Sequence, residues 1–305
     1  MGKIALLFAG QGSQYPGMGK DFYEAVPVVK MTIDTLEQKR PGTLAQCFNG
    51  SKEELSETIN TQPCMFAVDY AIAKAVQEKL QANGREVSAV AGFSLGEIPA
   101  LAFSGMLEAT EAFALVCHRA NVMQQAAEQN PGGMMAILKL SADRIETLAA
   151  SYSDVFPVNY NSPEQTAVAG NPEQLKAFAN DVKEAGGRAV PLAVSGAFHS
   201  PYMQSAAEAM AEYAEQLNVR EAVYPIYANR TAKPYTVADA KEWIASQVNH
   251  PVQWVKTIVQ MQADGVDCFI EVGPGKTLSG LVKKILPEAA VYKVDTLADL
   301  DALQV

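Results

Sequence analysis

Hydrophobic and polar positions along the chain fall into two kinds of run. Short apolar runs stand at residues 3–10, 87–91, 268–272 and 291–294. They have strand length and little polar alternation, which predicts strands buried on both faces, as in a parallel sheet. A further strand is expected at 223–227. Longer stretches with apolar residues at helical spacing cover 21–36, 53–60, 65–80, 110–129, 203–217, 238–248 and 255–263. Strands alternating with helices of this length indicate an α/β class with a parallel sheet.

The middle of the chain breaks this rhythm. Asn130-Pro131-Gly132-Gly133 ends the helical pattern. A compact series follows: strand 134–140, helix 142–151, strands 156–159 and 165–169, helix 172–185 and strand 189–194. This strand-helix-strand-strand-helix-strand order is that of a ferredoxin-like unit. The expected organisation is a large α/β domain formed by residues 1–129 and 197–305, with 130–196 inserted as a small subdomain. The segment 297–305 is expected to be loosely held.

Composition narrows the function classes. With 305 residues, 49% of them hydrophobic, the chain can bury a large core. A formal net charge of -10 repels nucleic acid and anionic membrane surfaces, so any anionic ligand must be met by local positive groups. Cys47, Cys64, Cys117 and Cys268 are widely spaced in apolar sequence, which suits reduced thiols of a cytoplasmic protein. The apolar run 4–9 is too short for a signal-peptide core, and no stretch reaches the length of a membrane span.

Candidate chemistry concentrates at Gly92-Phe93-Ser94-Leu95-Gly96-Glu97, where a β-prone run meets a helix-compatible one without a spacer. Gly-x-Ser-x-Gly in that setting is the form of a nucleophile elbow, which exposes Ser94 Oγ above a helix start. A glycine-rich turn with an N-cap serine has the same letters. Two nucleotide motifs fail on spacing. Gly10-Gln11-Gly12 lacks the third glycine of a dinucleotide fingerprint, because position 15 is tyrosine, and Gly275-Lys276-Thr277 lacks the earlier glycine of a P-loop, because position 270 is isoleucine.

Three histidines are available as a base for Ser94: His118 in a helix, His250 before a proline, and His199 in a small-residue loop after a strand. Loops at strand ends carry catalytic groups, so His199 is favoured, with a structural histidine as the alternative. No acidic neighbour in sequence would orient its ring. Arg119 has Leu115, Val116, Val122 and Met123 at its i±3 and i±4 positions, which puts a guanidinium on an apolar face. Either its stem packs while its head reaches water, or it is a fixed fork for a carboxylate or phosphate.

Together, Gly10-Gln11-Gly12-Ser13-Gln14, Thr61-Gln62-Pro63, the elbow, Arg119, Gly196-Ala197-Phe198-His199-Ser200 and Glu271-Val272-Gly273-Pro274-Gly275-Lys276 have the order and spacing of malonyl-CoA:acyl carrier protein transacylases. The chain resembles that family over nearly its whole length. The resemblance implies an α/β-hydrolase-like large domain with a ferredoxin-like insertion. It also implies malonyl transfer from malonyl-CoA to the phosphopantetheine of acyl carrier protein for fatty acid synthesis, without a bound cofactor or metal, by a cytoplasmic monomer. It maps Ser94 as nucleophile, His199 as base, Arg119 as the malonate-binding residue, the backbone N–H groups of Gln11 and Leu95 as the oxyanion hole, and the Gln247 carbonyl as the group orienting His199. Gln62 and Phe198 fall at substrate-binding positions, and Ala197-Phe198-His199 resembles the malonyl-selective form of related polyketide enzymes. Phe93 departs from the family, which usually has histidine there, and this touches any polar contact near the acyl pocket. A trans-acting malonyltransferase of a polyketide synthase and a serine thioesterase or hydrolase are the alternatives, and a non-catalytic scaffold is countered by the intact Ser94, His199 and Arg119 set. For an acidic carrier protein, two basic patches compete as the docking surface: Lys183 with Arg188, and Lys276 with Lys283 and Lys284.

Overall fold

The computed structural model describes residues 2–305. Among the described residues nine strands form two sheets: β1 (Lys3–Phe8), β2 (Val87–Gly92), β3 (Gly133–Leu138), β4 (Val155–Ser162), β5 (Gln165–Gly170), β6 (Arg188–Pro191), β7 (Ile226–Tyr227), β8 (Val266–Val272) and β9 (Ala290–Val294). The larger sheet has the order β7-β2-β1-β8-β9 with every pairing parallel. Residues 4–8 of the central strand β1 have no exposed surface, the burial expected of a strand covered by helices on both faces. The smaller sheet is antiparallel with the order β4-β5-β3-β6. That is the ferredoxin-like order, and its two helices, Ala142–Ala149 and Pro172–Glu184, pack with it around Ile145, Leu175 and Phe178.

Several element boundaries differ from the sequence pattern, each for a local reason. The expected helix 21–36 is two, Lys20–Ala25 and Pro27–Glu37, because Val26 precedes proline and is extended (φ -114°, ψ 111°). Residues 53–60 divide between Lys52–Ser56 and the first turn of a 25-residue helix, Thr58–Ala82, parted at the extended Glu57. That long helix runs through Pro63 rather than starting after it, and the complete burial of Thr61 to Ala67 outweighs the missing backbone donor. The short helix Thr43–Asn49 lacks a clear signal in the sequence. The terminal segment is docked, not loose: Thr296 and Asp299 form a capping box on the helix Leu297–Ala302, and Leu300 and Leu303 are buried.

The motif rejected as a P-loop is occupied from within. Gly273 and Gly275 take left-handed φ values of 97° and 92°, and the helix Thr277–Ile285 follows. The buried Glu271 carboxylate accepts from Leu278 N at 2.9 Å and Ser279 N at 2.7 Å, where a phosphate would otherwise sit.

Paired residues Phe8, Gly92 and Val272 bring the carboxyl ends of β1, β2 and β8 side by side. The loops leaving these ends carry Gly10-Gln11, Phe93-Ser94 and Gly273, so the sheet delivers them to one cleft. At the elbow, Ser94 has φ 52°, and a short 3-10 turn (Ser94–Gly96) leads into the helix Glu97–Phe103. A Cβ on Gly92 would lie 2.0 Å from Gly96 C, and one on Gly96 would lie 2.2 Å from Phe8 O. Both clashes are with backbone, so Gly96→Ala is expected to lower unfolding free energy by about 2 kcal/mol or more in denaturant titration. An unchanged midpoint would mean that the turn does not depend on this close approach.

Candidate active site

Ser94 Oγ lies 2.6 Å from His199 Nε2. His199 arrives from the loop after β6 and also has left-handed backbone geometry (φ 62°), held by its N–H donating to Val248 O at 3.0 Å. Its Nδ1–H points at two main-chain carbonyls, Gln247 at 3.0 Å and His250 at 3.2 Å, which fixes the tautomer that leaves Nε2 free to accept. The family resemblance implies the Gln247 carbonyl; the His250 carbonyl is a second acceptor three residues on. Burial, then the charge of Arg119, lower the His199 pKa to about 4, against the pull of the two carbonyls. The ring is therefore neutral at physiological pH, the state a base requires.

Arg119 is 1% exposed, so its head does not reach water. Nη1 donates to Gln62 Oε1 at 2.8 Å, and Nη2 donates to Gln247 Oε1 at 2.7 Å and, at 3.3 Å, to Ser94 Oγ. Its Nε–H is buried with no acceptor. Burial lowers the pKa to about 10, while Glu97 opposes that shift, and the group stays charged near neutrality.

Gln247 contributes a side chain as well as a carbonyl. Its Nε2 donates to Ser94 O at 2.7 Å and Glu97 Oε2 at 3.1 Å. Glu97 is buried and also accepts from Asn229 N at 3.1 Å and from the Tyr235 hydroxyl through a short contact. Burial pushes its pKa up to about 7, restrained by Tyr235, Gln247, Asn229 and Arg119 in that order. Asn229 also clamps the elbow: Oδ1 accepts from Ser94 N and Nδ2 donates to Gly92 O, both at 2.6 Å. Asn229 and Tyr235 have no sequence signal, whereas Glu97 stands in the elbow motif as an acid followed by Ile98, Pro99 and Ala100, a cue that it is buried.

Gln11, Leu95 and Phe198 join Ser94, His199 and Arg119 around a cavity of about 100 Å3. The space is of a size for a group of a few heavy atoms. An outer chamber of about 230 Å3 shares Gln11, Phe93, Asn159 and Leu192 with it and adds Asn161, Gln165 and Thr277. Asn159 and Asn161 present buried Oδ1 atoms with no donor. Phe93 sits between the two spaces, edge-on to Trp254 at 5.4 Å, an apolar contact where a polar one was in question. The other histidines lie elsewhere: His118 stacks on Tyr213 at 4.4 Å, and the His250 ring faces Ser246 O and Asn249.

Beyond the chamber, a groove of about 520 Å3 is lined by Lys139, Gln165, Lys283 and Lys284. Lys284 Nζ donates to Gln165 Oε1 at 3.4 Å, and Gln165 pairs across β5 and β3 with Leu138, which pairs with Arg188. Lys284 of one basic patch thus reaches the row of the small sheet that carries Arg188 of the other, and among the described residues Lys139, Lys183, Arg188, Lys276, Lys283 and Lys284 make no ion pair. Among the described residues there is also no group of three metal-ligating side chains and no helix long and apolar enough to cross a membrane.

Residues 5–300 match the family model described as the acyl transferase domain. The chain is similar to the malonyl CoA-acyl carrier protein transacylase of Bacillus subtilis (strain 168), with 38% identity covering 93% of this chain and 91% of that protein. It superposes on an acyl-carrier-protein S-malonyltransferase from Burkholderia pseudomallei 1710b with a TM-score of 0.93, at 36% identity over 98% of each chain. A malonyl-transacylase solved in complex with a type II polyketide synthase acyl-carrier protein matches with a TM-score of 0.92, at 32% identity over 98% of each chain. On sequence and structure together, the chain belongs to the malonyl-CoA:acyl carrier protein transacylase family of acyl transferase domains.

Proposed function

We propose that the protein transfers a malonyl group from malonyl-CoA to the phosphopantetheine thiol of acyl carrier protein, for fatty acid synthesis, through a malonyl ester on Ser94. The carrying observation is a buried, charged Arg119 with an unpartnered Nε–H in the same small cavity as the Ser94 and His199 pair. A buried cationic donor without an acceptor is costly unless a ligand completes it, and the free carboxylate of a malonyl group does so.

His199 Nε2 takes the Ser94 hydroxyl proton as Oγ attacks the thioester carbonyl carbon. The backbone N–H groups of Gln11 and Leu95 meet the oxyanion. The carbon–sulfur bond breaks, and coenzyme A leaves as a thiol with the proton from His199. The carrier's thiol then gives its proton to His199, attacks the ester carbonyl and releases Ser94, which recovers the proton. Asn159 and Asn161 line the outer chamber, where side-chain amides are suited to the amide groups of a pantetheine arm.

Intact-mass spectrometry after mixing with malonyl-CoA tests this reading. The expected result is a stable malonyl adduct, absent in Ser94→Ala and discharged by acyl carrier protein. Rapid hydrolysis without carrier would make the protein a thioesterase, and no adduct would end the proposal. For docking, the acidic carrier is expected on the basic rim beside the chamber mouth. Lys283→Glu with Lys284→Glu should raise KM for the carrier roughly tenfold at low salt, with the effect shrinking as salt rises. An unchanged KM would move docking off this rim.

A further inference from the structure

Apart from Arg119, the charged side chain of this network is one the transfer mechanism leaves unused. Glu97 is 1% exposed and joined to Arg119 by a single amide: Gln247 Oε1 accepts from Arg119 Nη2 at 2.7 Å, and Gln247 Nε2 donates to Glu97 Oε2 at 3.1 Å. Its remaining contacts, Asn229 N and the Tyr235 hydroxyl, are neutral donors. Before a malonyl group binds, one buried cation therefore faces one buried anion. A malonyl carboxylate adds a second anion to that enclosed space, and like charges in a buried site do not all stay ionised.

We infer that Glu97 is the counter-charge of Arg119 before an acyl group binds and takes up one proton when a malonyl group arrives, so that Glu97 and Arg119 together set the discrimination for a carboxylate-bearing acyl group. The inference rests on the reading that Arg119 holds the malonyl carboxylate. The titratable groups facing Glu97 are Arg119 from the helix Ala109–Gln129 and Tyr235 from the loop after β7, with His199 next to Arg119 as the rival proton acceptor. Tyr235 is pushed well above its usual range by burial and by Glu97, so it remains a neutral donor. Its hydroxyl stays a partner in both states, as acceptor once Glu97 Oε1 carries the proton. Glu97 starts with a pKa of about 7 and a nearby anion raises it, so malonyl binding weakens as pH rises past neutrality.

The experiment follows proton uptake with an indicator dye at pH 7.5 in weak buffer on mixing with malonyl-CoA, beside KM for malonyl-CoA from pH 6.5 to 8.5. Acetyl-CoA serves as the reference. The unchanged protein is expected to take up a proton with malonyl-CoA only, and its malonyl KM should rise about three- to tenfold over that range. In Glu97→Gln the uptake should vanish and the KM profile should flatten. Should that variant not fold, Tyr235→Phe removes a donor that favours the ionised carboxyl and should move the KM rise to higher pH. Persistent uptake in Glu97→Gln would assign the proton to His199, and no uptake in the unchanged protein, or no movement in Tyr235→Phe, would overturn the inference. Failure of the underlying reading is distinct: equal uptake with acetyl-CoA, or no malonyl adduct, would remove Arg119 as the carboxylate site.

Discussion

His199→Ala is expected to slow malonylation of Ser94 by about three orders of magnitude at saturating malonyl-CoA, within the range for removal of a general base. Among the described residues the geometry leaves Ser94 no other base. His118 and His250 point into contacts of their own, and Glu97 is turned away from the nucleophile toward Tyr235, Asn229 and Gln247. Arg119 Nη2, 3.3 Å from Ser94 Oγ, is a donor and cannot accept the proton. The same ring predicts the pH profile. With a pKa lowered to about 4, His199 is neutral well below the usual histidine range, and protonation as pH falls through that value removes the base. The acylation rate at saturating malonyl-CoA should stay level from about pH 8 to about pH 5.5 and fall only as pH nears 4, read by rapid-quench mass spectrometry. A decline centred near pH 6.5 would mean a solvated histidine, and a near-normal rate in His199→Ala would remove it as the base.

Arg119→Ala is expected to cut malonyl transfer roughly ten- to a hundredfold, since a hydrogen bond to a charged group is worth about 1.5–3 kcal/mol. Acetyl transfer should change far less, because an acetyl group brings no carboxylate to the guanidinium. The control matters here. Truncation also strips Gln62 Oε1 and Gln247 Oε1 of their donor and Glu97 of its nearest cation, so some general destabilisation accompanies it. Only the ratio of malonyl to acetyl rates isolates the contact. If both rates fell together, Arg119 would be a structural residue and the substrate class would lose its physical support.

Much of this protein is legible before folding. The apolar runs that became β1, β2 and β8 announce themselves because a strand covered on both faces tolerates little else. The elbow is readable as a Gly-x-Ser-x-Gly motif, although only the Gly92 clash is local and that of Gly96 is with Phe8 of β1, and the ferredoxin-like insertion is readable because its alternating elements follow sharp turn signals. Local chemistry therefore pointed to the fold class, to Ser94 as a candidate nucleophile and to the oddity of Arg119. What needed tertiary structure is everything that depends on distance between remote segments. Whether Arg119 snorkels or is buried turns on Gln62 and Gln247, 57 and 128 residues away. Asn229 grips Ser94 across 135 residues, and Glu97 acquires its raised pKa from enclosure, against the hydrogen bond of Tyr235, 138 residues on. The terminal helix and the unbroken passage through Pro63 were likewise decided by burial against partners that propensity does not see. Sequence pattern reports what each segment can do alone; desolvation and hydrogen-bond completion are properties of the assembled interior, and they turn a serine, a histidine and an arginine into one site.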